Sequence, residues 1–406
     1  MKGKDLMAWT IKDRRDAHFC FHVAKTMLHY LDAMMAMIDG VRQNEDIECL
    51  HRMRVASRRL RSLLPLFEDC LPGKQTARWR RQLRRVTRGL GDARDADVQA
   101  VCLLDALKDC RDDRHRPGLE RLLLRFRQRR SALQEPLANT LEGLASGRQL
   151  RRMETALRYL LATSQLYADP ESARYTYDRC RSAIMRRLQT VLAAAATIRG
   201  PHSNTELHTT RIAVKRLRYT LQAFASLYPD TLDDAIRTAR KLQDVLGNVH
   251  DCDVWVETLP RFLEEEKART LAYFGNGGPF EPLVAGATAL RSDRQGRREK
   301  FYREFVALWQ ETQDRDVWGQ LRRALETPSP SGNENDSPDP PHEMAVAGTE
   351  GSLPAELMRL EDSLRGSPQA WQWHVADLIT RVPAGRLITY GQLAQWANTS
   401  YGLHVG

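Results

Sequence analysis

The sequence predicts an all-α protein built as an internally duplicated helical bundle, and three observations support this. One basic helical segment occurs twice in the chain. Through residues 1–326 apolar residues recur at i, i+3 and i+4, among many Arg, Leu, Ala, Gln and Glu residues, which favour helices. Clusters of Gly, Pro and Asp interrupt the pattern, and no stretch has the alternation of a strand. We therefore expect a helical domain at 1–326, with halves at about 10–166 and 171–326.

The breaks divide this region into successive helices. They are expected at 16–42, 47–70, 75–90, 93–109, 119–146, 149–166, 171–198, 204–227, 231–246, 249–270 and 286–326. Two breaks have a specific predicted form. Gly91 and Gly247 suit the left-handed position that ends a helix, and Asp92 and Asn248 suit the N-cap of the next one.

Two pairs of acids follow these predicted joints. They are Asp95 and Asp97 in the first half, and Asp251 and Asp253 in the second. Such acids complement the positive end of a helix or hold neighbouring arginines in position. Magnesium ligation is the alternative that the sequence leaves open.

The duplicated segment lies at residues 50–67 and 207–224, which align without a gap at an offset of 157 residues, the distance from His51 to His208. Both copies contain H-x2-R-x3-[R/K]-R-L-R. On a helix of about 100° per residue, four cationic positions fall within an arc of about 80°. They form the first stripe (His51, Arg54, Arg58, Arg61) and the second stripe (His208, Arg211, Lys215, Arg218), flanked by Arg59 and Arg216. Six positions on the opposite side are predicted to pack: Met53, Ala56, Leu60, Leu63, Leu64 and Phe67, and in the second copy Thr210, Ala213, Leu217, Thr220, Leu221 and Phe224.

A solvated helix face is the ordinary explanation of a charge run. Exposed faces usually mix signs, however, and neither stripe contains an acid. Both copies also keep a histidine at the same step before the first arginine. Aligned like charges repel one another, so the pattern favours a polyanion bound along the row.

Further cations follow each stripe. Arg81, Arg84, Arg85 and Arg88 share one side of the next helix, and the matching helix of the second half offers Arg237, Arg240 and Lys241. If the helices are antiparallel neighbours, Arg54 with Arg88, or Arg211 with Lys241, would line one groove. We therefore add Arg84, Arg88 and Lys241 to the candidate site.

The net charge of +10 is unevenly distributed. Residues 327–351 hold five acids and no Lys or Arg, and residues 352–406 hold four of each, so the positive charge lies in residues 1–326. That balance favours a phosphate-rich partner. Residues 327–351 are rich in Pro, Ser and Asp and are predicted to be a disordered acidic linker.

Cysteine usage and the start of the chain suggest a compartment. The seven cysteines are odd in number and form no CxxC, so we expect free thiols in a reducing compartment. The N-terminal residues have no apolar signal region, and no run of 18 apolar residues occurs. We therefore expect a cytoplasmic protein with no membrane partner.

Together with an echo of LGDARDADV (90–98) in LGNVHDCDV (246–254), the duplicated motif resembles the CHAD family, named for its histidine-bearing α-helical domain. The resemblance covers about residues 10–326. It implies two similar four-helix halves around a strongly basic central cavity. It also implies binding of inorganic polyphosphate, often at polyphosphate granules, without catalysis by the module. The family motif falls on His51, Arg54, Arg58, Arg59, Arg61, His208, Arg211, Lys215, Arg216 and Arg218. Many members carry an N-terminal triphosphate tunnel (CYTH) domain, for which this sequence has no segment, so we expect no turnover of polyphosphate.

The region 352–406 changes character, and residues 371–406 resemble the start of the DNA-binding domain of alkylguanine alkyltransferases and alkyltransferase-like proteins. This resemblance implies a truncated small α/winged-helix-like tail, in which Tyr390 falls on the family's base-flipping tyrosine. The intercalating arginine falls on Leu403. No cysteine follows Cys252, so we expect no repair chemistry, which needs an acceptor thiol. DNA contact through Tyr390 and an inert remnant both stay open.

Three functions are compatible with the basic region. Non-catalytic binding of inorganic polyphosphate fits best, because the stripes are rich in Arg and no aromatic residue interrupts them. A nucleic-acid-binding protein would use the same phosphate contacts but usually adds stacking aromatics, and Tyr219 alone lies nearby. A phosphoanhydride-cleaving enzyme would need clustered carboxylates, yet the sequence has no G-x4-G-K-[S/T], HExxH or GxSxG. We therefore expect no catalytic residue, cofactor or resident metal.

Overall fold

A computed structural model of the protein describes residues 13–326 except residues 45, 72, 168 and 169. The predicted linker and the tail with Tyr390 lie outside the described residues. The helices are α1 (Ala17–Met35), α2 (Ile38–Gln43), α3 (Ile47–Leu63), α4 (Gly73–Lys108), α5 (Arg116–Ala145), α6 (Arg148–Tyr167), α7 (Pro170–Ala195), α8 (Asn204–Phe224), α9 (Asp233–Phe274), α10 (Glu281–Asp314) and α11 (Val317–Glu326). Because the described residues contain no strand, the predicted all-α fold is confirmed.

The duplication is visible in the packing. In the first half α1 packs on α3, α3 on α4 and α4 on α5, and in the second half α7 packs on α8, α8 on α9 and α9 on α10. The first half also contains α2 and α6, and the second half α11. The halves meet where matching helices touch, with α1 against α7, α3 against α8, and α5 against α10. The two stripe helices, α3 and α8, therefore lie side by side at the junction.

One apolar core runs through this junction. All twelve positions predicted to pack behind the stripes are buried. Phe67 and Phe224, which are equivalent in the two copies, have ring centroids 6.2 Å apart, and Phe19 of α1 lies 5.6 Å from Phe67. Because the apolar faces of α3 and α8 share one core, their positions relative to each other are fixed.

The predicted joints at Gly91 and Gly247 are wrong. The helices α4 and α9 run through them without a break, and Gly275 is the glycine with positive φ among the described residues. A glycine inside a helix costs about 1 kcal/mol relative to alanine, and packing of the flanking turns outweighs that cost. Leu90 and Ala93 beside Gly91 are both fully buried. The acids after each joint therefore lie in the middle of a helix, far from its N-terminus.

Other boundaries differ by small amounts. The predicted helix 16–42 is divided into α1 and α2, and 286–326 into α10 and α11, where Asp316 has a left-handed φ of 49°.

The seven cysteines are free thiols, as predicted. Within the described ranges no helix has both the length and the apolar character needed to cross a membrane.

Candidate anion-binding site

The two stripes meet through one contact between the halves. The Arg58 Nη2 of α3 donates a hydrogen bond of 2.6 Å to the Tyr219 hydroxyl of α8, and the Arg58 guanidinium lies 5.8 Å from the centre of that ring. Tyr219 follows Arg218 directly in the chain. The two cationic rows, whose equivalent positions are 157 residues apart in sequence, therefore share one surface.

Cations crowd around Lys215 at the centre of this surface. Burial, followed by the charges of Arg58, Arg211, Arg61 and Arg216, lowers the pKa of Lys215 to about 7. The like charges come from both stripe helices, so the crowding is a property of the assembled junction. A group of cations held this close is unfavourable unless an anion compensates it.

The predicted cation Arg84 lies beside the first stripe. Burial, followed by the charges of Arg58 and Arg84, lowers the pKa of Arg61. Arg88 and Lys241 are exposed and make no hydrogen bond or ion pair within the described part of the chain. These two residues are therefore assigned to the site by their place in the sequence, and no observed contact among the described residues joins them to the stripes.

Two acids from the long helices face the arginines at the start of each stripe. Asp95 Oδ1 accepts a hydrogen bond of 3.2 Å from Arg54 Nη2. Burial raises the pKa of Asp251, the charge of Arg211 opposes that rise, and the charge of Asp95 adds to it. The equivalent acids of the two halves thus influence each other and compensate Arg54 and Arg211 in part. Holding neighbouring arginines in position is one of the roles that the sequence predicts for Asp95 and Asp251.

The stripe histidines have different neighbours in the two halves. The Nδ1 atoms of His208 and His250 lie 3.4 Å apart. Burial, followed by the charges of Arg211 and His208, lowers the pKa of His250 to about 4. For His51 burial is again the largest cause of a lowered pKa, and the charge of Arg94 is the next. Arg94 and His250 occupy the same place in the two echo segments, and this shared place is the sequence signal for two residues that the predicted site lacks.

Three predicted residues remain: Arg59 and Arg216, which flank the stripes, and Arg218, the last residue of the second stripe. Arg59 Nη1 donates to the Tyr30 hydroxyl at 3.2 Å, with its guanidinium 5.3 Å from the ring centre. Burial is the main cause that lowers the pKa of Arg218, and Asp244, Arg59 and Arg240 are among its charged neighbours. Arg240, adjacent to the predicted Lys241, is thus the α9 cation that lies near the second stripe. Arg216 is exposed.

Several buried polar atoms of this surface find no hydrogen-bond partner among the described residues. They are His51 Nδ1, Arg54 Nε, Arg59 Nε and Arg218 Nε. A buried donor without an acceptor costs about 1–3 kcal/mol. The oxygens of an anion would supply the missing acceptors. The surface therefore combines excess positive charge with unused donors.

Asp97 and Asp253 each connect a long helix to a stripe helix through an arginine. Asp97 Oδ1 accepts from Arg130 Nε at 2.9 Å, and Arg130 also donates to Asn44 at 2.8 Å, just before α3. In the second half Asp253 accepts from Arg298, whose Nη2 donates at 2.5 Å to Asn204, the first residue of α8. Each acid thus ties a long helix to the start of a stripe helix. Within the described residues no group of three or more His, Cys, Asp or Glu side chains is arranged to hold a metal ion.

These features define a class of protein: a two-half helical bundle with a cationic surface where the halves meet. The CHAD domain sequence profile matches residues 25–260, more than half of the chain. The chain belongs to the CHAD domain family, which is associated with polyphosphate binding.

Comparison with individual proteins agrees with this assignment. The crystal structure of the CHAD domain from the plant Ricinus communis superposes with a TM-score of 0.53 and 25% identity, covering 71% of this chain and 90% of the plant domain. The uncharacterized proteins MT2285 and Rv2226 of Mycobacterium tuberculosis are each 28% identical over 222 residues, or 52% of this chain. The chain matches 40% of the length of those two relatives.

Proposed function

We propose that the protein binds inorganic polyphosphate, without catalysis, along the two stripes at the junction of the halves. The observation that carries the proposal is the crowding of four cationic neighbours around Lys215, contributed by both α3 and α8. Phosphate oxygens would relieve this repulsion and would accept from the unused donors of His51, Arg54 and Arg218. Arginine suits the task because its planar fork can bond two phosphate oxygens at once.

Two contacts favour polyphosphate over the nucleic-acid alternative and over catalysis. The hydroxyl of Tyr219, the aromatic residue nearest the second stripe in sequence, already holds Arg58, so its role in the site is to orient a cation. Of the four carboxylates considered for magnesium, Asp97 and Asp253 pair with arginines of the fold and Asp95 pairs with Arg54, so three of them already compensate a cation of the chain. We infer a cytoplasmic site of action, at polyphosphate granules, from the free thiols and the family.

A competition titration of the full chain tests the proposed ligand. Labelled long-chain polyphosphate is displaced by unlabelled polyphosphate, single-stranded DNA and duplex DNA at two salt concentrations. We expect polyphosphate to bind at least about 100-fold more tightly than either DNA, and all affinities to fall with salt as counterions are released. If DNA competes on equal terms, the stripes form a general anion surface, and nucleic-acid binding, with the tail included, becomes the better explanation.

The lowered pKa of Lys215 predicts a pH dependence. Free Lys215 loses its proton as the pH rises through about 7. The charged or titratable groups near it are Arg58 and Arg61 on α3, His208, Arg211 and Arg216 on α8, and His250 on α9. Bound phosphate favours the protonated amine, so binding at pH 8 should take up a proton. Linkage then predicts an affinity about fivefold lower at pH 8 than at pH 7.

Calorimetry at pH 8 in two buffers of different ionisation enthalpy measures this uptake directly. The Lys215→Gln variant should bind more weakly and lose most of the uptake. An unchanged proton count in that variant would assign the uptake to the histidines.

The stability of the unliganded protein depends on pH in the opposite direction to its affinity. The pKa of Lys215 lies below its unfolded value of 10.5, so the lysine destabilises the fold below pH 7. This cost declines as the pH rises from about 7 toward 10.5.

A further inference from the structure

The two halves differ at one position beside the stripes. The offset that aligns the stripes also aligns Tyr30 of α1 with Arg187 of α7. In the first half Tyr30 holds Arg59 by a hydrogen bond and by its ring. In the second half the residue aligned with Arg59 is Arg216, and its neighbour is another arginine. Burial, followed by the charges of Arg216 and Arg186, lowers the pKa of Arg187.

The arginines Arg186, Arg187 and Arg216 form a cluster that no acid compensates among the described residues. None of the three makes an ion pair within the part of the chain that the structure describes. Arg187 is half-buried and stands beside two exposed arginines, and this repulsion between like charges does not stabilise the fold. Its composition is suited to a phosphate group.

Arg186 and Arg187 line a cavity of about 650 Å³ between α7, α1 and the segment after α3. Its apolar wall includes Pro65, Leu66 and Ala183, with Phe19 and Tyr175 at the far end, where arginine guanidiniums already lie over both rings. The volume lies in the range of pockets that hold small organic ligands, about 300–1,000 Å³. A bare phosphate chain would gain nothing from this apolar and aromatic wall.

The end of the cavity opposite Arg186 and Arg187 has no excess of positive charge. Arg179 is compensated there, because its Nη1 pairs with Asp16 at 2.5 Å and its guanidinium lies 4.3 Å from the centre of the Phe19 ring. Asp178 also lines the cavity and makes no hydrogen bond or ion pair among the described residues. On one helix Asp178 and Arg186 are eight residues, about 12 Å, apart. The cavity therefore offers donors for phosphate at one end and an acceptor for hydroxyl groups at the other.

We propose that this cavity binds a nucleoside phosphate. Its phosphate lies against Arg186 and Arg187, its sugar hydroxyls donate to Asp178, and its base packs on the apolar wall near Tyr175. The site adjoins the stripes through Arg216 but uses other residues, so it is independent of the proposed polyphosphate function.

The test is calorimetric titration of the full chain with AMP, adenosine and inorganic pyrophosphate. We expect AMP to bind more tightly than adenosine or pyrophosphate. The variant Arg186→Gln/Arg187→Gln should lose about tenfold or more in AMP affinity, as expected for the loss of charge-assisted hydrogen bonds. The matched control Arg174→Gln/Arg181→Gln changes two exposed arginines of α7 that do not line the cavity, and it should bind AMP like the original protein.

The other outcomes separate this site from the stripes. Equal binding of adenosine, or no binding of AMP, overturns the proposal. Equal binding of pyrophosphate with the same dependence on Arg186 and Arg187 makes the cluster a plain phosphate site. If AMP binding is instead lost in Arg58→Glu/Lys215→Glu and kept in Arg186→Gln/Arg187→Gln, the nucleotide occupies the stripes. Long-chain polyphosphate should bind the Arg186→Gln/Arg187→Gln variant within about threefold of the original affinity, because independent sites contribute separately.

Discussion

Reversing the charges of Arg58 and Lys215 together is expected to weaken polyphosphate binding by about 100- to 10,000-fold. The two residues come from different halves and lie together at the centre of the cationic surface. Each lost hydrogen bond to a charged group accounts for about 1.5–3 kcal/mol, and each 1.4 kcal/mol is tenfold in affinity. Repulsion between the introduced carboxylates and phosphate adds to this loss.

The fold should survive this double change. Arg61, Arg211 and Arg216 surround position 215 and would pair with the introduced carboxylates, which removes the like-charge crowding of the original protein. Circular dichroism should therefore show unchanged helix content. A loss of binding that accompanies a loss of helix would not bear on the site, and Lys215→Gln alone then provides the milder variant.

The measurement is a titration with labelled polyphosphate at two salt concentrations. The control Arg129→Glu/Lys267→Glu changes the net charge by the same amount at two exposed residues of α5 and α9 that lie outside the stripes. It should reduce affinity by only about threefold, since salt screens exposed charges that do not contact the ligand. An equal loss in the control would mean that net charge governs binding. Full binding by Arg58→Glu/Lys215→Glu would place the site elsewhere.

The helix faces could be predicted because a single helix carries its own geometry. Residues three and four apart share a face whatever the rest of the chain does. Met53 and Leu60 therefore proved buried behind the first stripe, and Thr210 and Leu217 behind the second. The meeting of the stripes was implied by the family resemblance, since periodicity within α3 and α8 contains no information on how two distant helices pack.

Contacts between distant helices could not be predicted from helical periodicity, because periodicity describes one helix at a time. Tyr219 was noted as an aromatic beside the second stripe, but its bond to Arg58 depends on the packing of α3 on α8. The cluster of Arg187 with Arg216 could have been found by continuing the gapless alignment to Tyr30, where an aromatic partner is replaced by a cation. The internal duplication therefore contained enough information to predict this arginine cluster.

The wrong joints in α4 and α9 had a further effect on the predicted site. Local rules end a helix at Gly-Asp or Gly-Asn, but the buried residues on both sides of Gly91 keep the helical period. Once the helix continues, Asp97 and Asp253 lie in mid-helix and face the returning helices α5 and α10. Their partners, Arg130 and Arg298, could not be read from spacing, because the two halves do not place them at the same offset.

Asp253→Ala is accordingly expected to destabilise the protein by about 3–5 kcal/mol, the usual cost of removing one partner of a buried ion pair. Arg298 is only 8% exposed, and without Asp253 its guanidinium would retain Asn204 as its hydrogen-bond partner among the described residues. The apparent free energy of unfolding in urea measures the loss. The double variant Asp253→Ala/Arg298→Met should recover at least half of it, because no charge is then left buried.

The same change should reach the site through the start of α8. Arg298 joins α9 and α10 to Asn204, four residues before His208, so a loosened clamp frees the first turn of the second stripe. Polyphosphate affinity should fall in Asp253→Ala and stay low in Asp253→Ala/Arg298→Met, which restores stability but not the bond to Asn204. If affinity returns together with stability, Asp253 acts on the fold alone. If Asp253→Ala costs less than about 1 kcal/mol, the pair is not the clamp that its burial indicates.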